Sequence, residues 1–511
     1  MTLDEIVRRN SLRFPDKPAV TIGEISYSWQ ELDERIDRLA TALKQKGFKK
    51  GERVAILLLN CPEYIEIYFA AARAGLISVP VNYRLKPHEL AEILKHSEPS
   101  LLITGTEFLD QAKALESLMP ELDTRWIVGD GELMNAENYD NVFLSASSNP
   151  VHSEAEDNDT FAIFYTSGTT GLPKGAMVSH FNLEMNSYNQ FVADASQLRD
   201  INLVATPLYH MGAVFMATTY MMLGCCQIIM PKFDPVAWLE TMHNSKASVT
   251  LLIPTMINAI LNEQTFDQYD LSSLRLIFYG GGSMPAAVLE RAINKLQCDF
   301  TQGYGLTETL EATFLTSSDH VLDGTAQQQK RLNSAGREAV GAEVRIVDDN
   351  DNDKPAGEVG EILIRSRSVI SGYWKMPDET QNSIRNGWFY TGDLGYLDED
   401  RYLFLVDRKK DMVVSGGVNI YTKEIEGILY SHPAILEAAV IGLPDDEWGE
   451  IVTAAVVKRP GYDITADEIV EFCKKSLASY KKPGKVFFLD DLPKNPSGKI
   501  LKRELRNQLG I

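Results

Sequence analysis

The stretch Tyr165-Thr-Ser-Gly-Thr-Thr-Gly-Leu-Pro-Lys-Gly-Ala-Met177 constrains the chain more than any other, because it puts a polar, glycine-rich run directly after the apolar strand-like Phe161-Ala-Ile-Phe164. Gly168, Gly171 and Gly175 allow tight turns with exposed N–H groups, Thr166, Ser167, Thr169 and Thr170 offer hydroxyls, and Lys174 adds a mobile positive charge. Such a loop suits a polyphosphate. A Walker loop needs Ser or Thr after its lysine, whereas Gly175 follows Lys174. A dinucleotide fingerprint opens a helix, which Pro173 disfavours.

The chain around this loop alternates helix and strand. Ser28-Trp-Gln-Glu31 is a capping box, followed by Leu32, Ile36, Leu39, Ala40 and Leu43 at helical spacing. Val54-Ala-Ile-Leu-Leu-Leu59, Ile77-Ser-Val-Pro-Val81 and Ser100-Leu-Leu-Ile-Thr104 read as buried strands between helices, and a second alternation runs from about 180 to 305. The expectation is an α/β fold: a large N-terminal region of helix-covered, mainly parallel sheets. Residues 130–159 read as a polar surface linker and 321–333 as an exposed loop. From Gly341 the short strands and turns suit a small antiparallel sheet or β-barrel.

A chain of 511 residues has room for more than one domain, and its net charge of −21 argues against nucleic acid and against a polybasic membrane anchor. A polyphosphate is a polyanion too, so a site for it needs local cations, and the last third supplies Arg408, Lys409, Lys410, Lys474, Lys475, Lys481, Lys482, Lys485 and Lys499. The five cysteines show no Cys-x-x-Cys pair or metal-ligand spacing and read as reduced thiols. With acids at once after Met1 and no apolar leader, the expected location is cytoplasmic. Met211 to Met230 carries no charge, yet Thr218, Thr219, Tyr220 and Gly224 make it a buried helix and strand rather than a transmembrane segment.

The order Thr-Ser-Gly-Thr-Thr-Gly-x-Pro-Lys-Gly resembles the signature loop of the adenylate-forming superfamily: acyl-CoA synthetases, coumarate-CoA ligases, luciferases and peptide-synthetase adenylation domains. Three further stretches are similar to that family's motifs: Gly303-Tyr-Gly-Leu-Thr-Glu308, Tyr390-Thr-Gly-Asp393, and Pro493-Lys-Asn-Pro-Ser-Gly-Lys499. A Thr-Glu pair on its own would be a helix cap and a C-terminal lysine a solvated charge, so the combination carries the resemblance.

The resemblance implies ATP and CoA as co-substrates and Mg²⁺ held by Glu308. In it Tyr304 stacks on adenine between Gly303 and Gly305, Thr307 donates to the α-phosphate, and the nucleotide lies along Gly281, Gly282 and Ser283. Asp393 and Arg408 meet the ribose, and Lys499 bridges the carboxylate and α-phosphate. His210 stands at the mouth of an acyl pocket walled by Val214, Phe215, Met216, Tyr279 and Gly280. Residues 1–407 form the adenylation domain, 408–411 a hinge pivoting at Lys410, and 412–511 a small mobile α+β domain presenting Ser415, Gly416 and Gly417 to CoA.

The segment from Asn386 to Asp411 is similar to the fatty-acyl-CoA synthetase signature, which favours a medium- or long-chain fatty acid. An aryl-CoA ligase of the coumarate or benzoate kind shares every motif, and a homodimer stays open. A non-catalytic nucleotide-binding regulator would have eroded Lys499, Glu308, Thr307 and Asp393, all of which are intact.

Overall fold

The computed structural model describes residues 1–166, 173–282, 284–494 and 500–510. By internal contacts the chain divides into two compact units, Met1–Val344 with Ile364–Phe389, and Arg345–Leu363 with Tyr390–Ile511.

The first unit is built on two large sheets. A seven-stranded sheet runs in the order Ala136–Asn138, Arg125–Val128, Leu101–Gly105, Arg53–Leu57, Ile77–Pro80, β1 (Thr160–Thr166) and β2 (Lys174–Ser179). All neighbours are parallel except β1 and β2. The expected helix-covered parallel sheet is therefore present, and Ser28 and Glu31 close their capping box at the start of the helix Trp29–Gln45.

The nine-stranded sheet is parallel through its centre and antiparallel at both edges. At one end β3 (Leu276–Tyr279) is followed by β4 (Asp299–Leu306) and then β5 (Leu310–Leu315), the last pair forming a hairpin. Helix α1 (His180–Asp194) covers β5, and α2 (Met211–Met222), packed beside α1, covers the parallel strands next to this end. Gly224, at φ 75°, ends α2 before the strand Cys226–Ile229, which is the break expected within the uncharged stretch. Among the described residues no helix is long and apolar enough to cross a membrane.

Two loop expectations need correction. The stretch 130–159 contributes the edge strand Ala136–Asn138 and the helix Tyr139–Ser145, because Asn138 caps that helix and Tyr139, Val142 and Phe143 bury their side chains. Within 321–333, Thr325 and Gln328 form a capping box that starts the helix Ala326–Arg331.

The short strands from Ala342 onward form a five-stranded half-barrel. Its strands β6 (Trp388–Leu397) and β7 (Leu403–Arg408) pair antiparallel, and in the part that belongs to the second unit they set Asp393 opposite Arg408. The C-terminal part is α+β: β8 (Val413–Ser415), β9 (Val418–Ile420), α3 (Thr422–Tyr430), and a long hairpin of Ile435–Asp445 with Gly449–Lys458. One face of that hairpin packs Ile425, Leu429, Val440 and Val456 and the other Ile441, Ala455 and Leu505.

Candidate active site

Thr166 and Lys174 face each other at the open ends of β1 and β2. Ser167, Gly168, Thr169, Thr170, Gly171, Ser283 and Lys499, all expected in the site, lie outside the described residues. Residues 372–374 run alongside β2, with Met177 N–H donating to the Gly372 carbonyl (3.0 Å) and Trp374 N–H to that of Gly175 (2.8 Å). This places Tyr373 beneath Lys174, whose Nζ stands 5.3 Å from the ring centroid while its charge is paired with Glu379.

The Gly303–Thr309 motif ends β4 and turns into β5. Its geometry demands glycine: a Cβ on Gly305 would lie 1.6 Å from the Leu310 carbonyl oxygen, and one on Gly280 would lie 2.8 Å from that of Gly303. Leu306 N–H donates to Thr309 Oγ1 at 2.9 Å, closing the turn on which Thr307 and Glu308 sit half-buried. Glu308 is then fixed twice, its carbonyl accepting from Ile370 N–H and its carboxylate Oε1 from the Tyr373 hydroxyl, both at 2.9 Å. Burial, then the Glu308 charge, raises the Tyr373 pKa, so this phenol stays a donor.

Tyr373 is thus where the two sequence motifs meet. Nothing in its spacing announces it; its role follows from the pairing of 372–374 with β2. Glu379 was missed for the same reason.

As to Mg²⁺, among the described residues no three His, Cys, Asp or Glu side chains gather to hold a metal ion by themselves. A lone carboxylate at a loop tip nevertheless fits Mg²⁺, which keeps its waters and is bound through one or two carboxylates plus substrate phosphates.

The other residues expected in the site divide between the faces of the sheet. Gly281 and Gly282 are exposed just past β3, and Tyr304 is buried at 8% exposure. His210 caps the start of α2, open to solvent on one side; enclosure on its others, then the Arg84 charge, lowers its pKa, favouring neutral imidazole. Val214, Phe215 and Met216 are buried, with Phe215 edge-on to Phe278. Tyr279 points to the opposite face, where its hydroxyl meets His320 Nε2 at 2.9 Å.

On the inner face stand two carboxyl groups that no motif indicated: Glu311, half-buried beside Phe278 with its Oε2 enclosed, and Asp194, fully buried. Burial, then the charge of Asp194, raises Glu311 to about 8; burial raises Asp194 to about 7 against the bond from Gln190. The folded state therefore holds protons that the unfolded chain releases, so stability falls as pH rises from the ordinary carboxyl values of 4.5 and 3.8 toward 8. Each such proton contributes a slope of up to about 1.4 kcal/mol per pH unit. Glu311→Gln should flatten that slope, its stability relative to the parent being higher above pH 8 than below pH 4.5, as denaturant midpoints would show. An unchanged slope would mean Glu311 titrates normally.

In the second unit Arg408 Nε and Asp393 Oδ1 pair at 2.7 Å across the β6–β7 ladder. Asp393 N–H also donates to Thr391 Oγ1 at 3.0 Å, which fixes the main chain from which the carboxylate projects. Lys410 is exposed, its carbonyl accepting from Arg506. Ser415, Gly416 and Gly417 occupy the β8–β9 hairpin, and Gly416 and Gly417 have φ of 60° and 79°, as a two-residue type I′ turn requires. Just before Lys410, the buried Asp407 carboxylate accepts from Thr422 N–H and from Thr422 Oγ1, and Lys502 bonds the same hydroxyl at 2.7 Å.

An anion-suited hairpin beside a glycine-lined Thr-Glu turn, on one end of mixed α/β sheets, defines an adenylate-forming enzyme. The chain belongs to the AMP-binding enzymes: that family's model matches residues 7–374, and the model of the AMP-binding enzyme C-terminal domain matches 424–499. It is an AMP-forming acid–CoA ligase. The feruloyl-CoA synthase of an Amycolatopsis species is 36% identical over 98% of both chains. The long-chain-fatty-acid–CoA ligase FadD13 of Mycobacterium tuberculosis is 33% identical over 95% of this chain and 93% of its own. The ATP-bound structure of MatB from Rhodopseudomonas palustris is similar with a TM-score of 0.88, at 31% identity and 99% coverage of both chains.

Proposed function

We propose that this ligase joins a carboxylic acid to AMP, releasing pyrophosphate, and then passes the acyl group to the thiol of CoA. The observation that carries the reading is the meeting of two motifs at Tyr373, which bonds Glu308 at 2.9 Å and underlies Lys174 at 5.3 Å. A cation from one loop and a carboxylate from another, so placed, suit a triphosphate and its counter-ion.

A carboxylate is a poor acyl donor because oxide is a poor leaving group. In the first step its oxygen attacks the α-phosphorus and the bond to the β-phosphate oxygen breaks, pyrophosphate taking the electron pair. Lys174 and the hydroxyls of 166–170 hold the triphosphate, Thr307 donates to the α-phosphate, and Asp393 with Arg408 takes the ribose. Tyr304 stacks on adenine along Gly280–Ser283, and Lys499 offsets charge shared between the carboxylate and α-phosphate. A Mg²⁺ ion at Glu308 would neutralise phosphate charge when bound. In the second step the thiol sulfur attacks the acyl carbon, AMP leaves with the electron pair, and the thiol proton passes to solvent. For this the domain from 412 turns about Lys410, withdrawing Lys499 and bringing Ser415–Gly417 to the pantetheine arm.

The fatty-acyl signature of 386–411 favours a medium- or long-chain fatty acid. A second reading, an aryl acid, is favoured by the polar side chains buried beside Phe278, which a plain alkyl tail would leave unpaired. Incubation with ATP, Mg²⁺ and a panel of fatty and aryl acids, with and without CoA, tests both. Pyrophosphate release that depends on the acid, and thioester that depends on CoA, are the expected results; release without any acid, or none with every acid, would overturn the ligase reading.

One prediction concerns Lys174. Its partner Glu379 competes with phosphate for the ammonium group, so Glu379→Gln should lower KM for ATP by about two- to fivefold, the range of a partly exposed ion pair. A raised KM would instead mean that Glu379 positions Lys174 for the nucleotide.

A further inference from the structure

Helix α1 turns an unusual face to the sheet. Asn186, Gln190 and Asp194, at successive i, i+4 positions, are 0%, 0% and 4% exposed, where a helix covering a sheet would ordinarily be apolar. Opposite them stands Glu311 on β5, whose N–H donates to Asn186 Oδ1 at 3.0 Å. Asn186 Nδ2, Gln190 Oε1 and Glu311 Oε2 are all buried and have no hydrogen-bond partner among the described residues, whereas the Asp194 carboxyl is bonded by Gln190, Thr301 and Tyr220. Buried polar atoms are almost always paired, and each one left unpaired costs roughly 1–3 kcal/mol. Three together mark a place where a partner is missing.

The location relates them to the reaction. Glu311 pairs with Gly305 across the β4–β5 ladder, and its Oε2 lies 2.6 Å from where a Cβ on Gly303 would stand. The same absent Cβ would meet the Phe278 ring at 2.4 Å, and Phe278 packs on Phe215. Glu311 Oε2 therefore lies directly behind the glycines that flank Tyr304, with Asn186 bonded to the Glu311 main chain beside it. The three helix residues are closed off, whereas Glu311 is partly accessible and forms the open end of the group.

On the ligase reading above, we propose that this polar group receives the far end of the acyl chain, and that the acid activated carries a hydroxyl there, which donates to Glu311. The chemistry selects a hydroxyl because the orphaned atoms include both kinds: Asn186 Nδ2 is a donor, and Gln190 Oε1 and the carbonyl oxygen of the Glu311 carboxyl are acceptors. A hydroxyl can donate and accept at once. An ammonium group could only donate, and a methyl terminus would satisfy none of them. Glu311 is thus a specificity-determining residue, acting at the end of the substrate remote from the bond being made.

The test uses matched acids that differ only at that end: cinnamic against para-hydroxycinnamic acid, and a fatty acid against its ω-hydroxy and ω-amino derivatives. Acid-dependent pyrophosphate release gives kcat/KM for each. In at least one series the hydroxylated acid should be favoured by roughly 10²-fold or more, as in sites built to bond a substrate hydroxyl. Glu311→Leu should collapse that ratio and Glu311→Gln, whose amide oxygen still accepts, should keep part of it. Release with equal efficiency for both members of every pair would overturn the proposal while leaving the ligase reading standing. So would preference for the ω-amino acid, or a ratio untouched by Glu311→Leu with a gain in thermal stability, which is the behaviour of a water-filled polar core. Should Glu311→Leu not fold, the ratio in the parent protein and in Glu311→Gln decides. No release with any acid sinks the ligase reading itself.

Discussion

Replacing Lys499 by alanine should slow acyl-AMP formation by roughly 10²–10³-fold while supplied acyl-AMP and CoA are still converted to thioester. The asymmetry follows from where charge builds up. In the first step negative charge is shared between the attacking carboxylate and the pentacoordinate α-phosphorus, and a positioned ammonium is worth most there, in a site that excludes water. In the second step the α-phosphate already bears its bond to the acyl group and only leaves, so the lysine has no further part. Pyrophosphate release measures the first step, and thioester formation from synthetic acyl-AMP measures the second. Lys499→Arg should recover little, since the planar guanidinium cannot place one point charge between two oxygens. Equal loss of both half-reactions would contradict a lysine that is withdrawn between them.

The family was legible in the sequence because its motifs are local. The glycine-rich 165–177 run, the Tyr-Gly-Leu-Thr-Glu turn and the Tyr390–Asp393 element are each contiguous, and contiguity survives without a fold. The parallel sheets were legible too, since buried strands such as Val54–Leu57 read as unbroken apolar runs between helices.

What escaped depends on pairing across long separations. Tyr373 reaches Glu308 from 65 residues away through a bridge between Tyr373 and Ala176 that no periodicity announces. The stripe Asn186, Gln190 and Asp194 is polar in sequence, and only the fold shows it buried on the helix that packs against β5. Tyr279, adjacent to the glycines in sequence, was grouped with the acyl wall, but strand alternation turns it to the far face and gives the inner place to Phe278. The linker at 130–159 failed for a different reason: its acidic residues are exposed while Tyr139 and Phe143, four apart, are buried.

The substitution expected to harm both half-reactions is Gly305→Ala. The residue lies at an irregularity in the β4–β5 ladder, where the backbone of the turn folds back so closely that a methyl group would stand 1.6 Å from the Leu310 carbonyl oxygen and 2.6 Å from its carbon. These are main-chain atoms, so no side-chain rotation relieves the clash; the turn itself must open. Opening it moves Thr307 and Glu308 together, breaks the Leu306 to Thr309 closure of 2.9 Å, and pulls Glu308 from the Tyr373 hydroxyl. A displacement of about 1 Å of a positioning group can cost roughly 10²-fold in rate. In the mechanism proposed, acyl-AMP occupies the same turn in both steps, so pyrophosphate release and thioester formation from supplied acyl-AMP should fall together, by roughly that factor each. This distinguishes the variant from Lys499→Ala, in which only the first step is impaired. Nucleotide affinity, read by quenching of tryptophan fluorescence or by calorimetry, should weaken in parallel, while the core formed by β1 and the parallel strands beside it keeps its thermal transition. A Gly305→Ala protein that forms and consumes acyl-AMP at the parent rate would show that the Gly303–Thr309 turn does not contact the nucleotide.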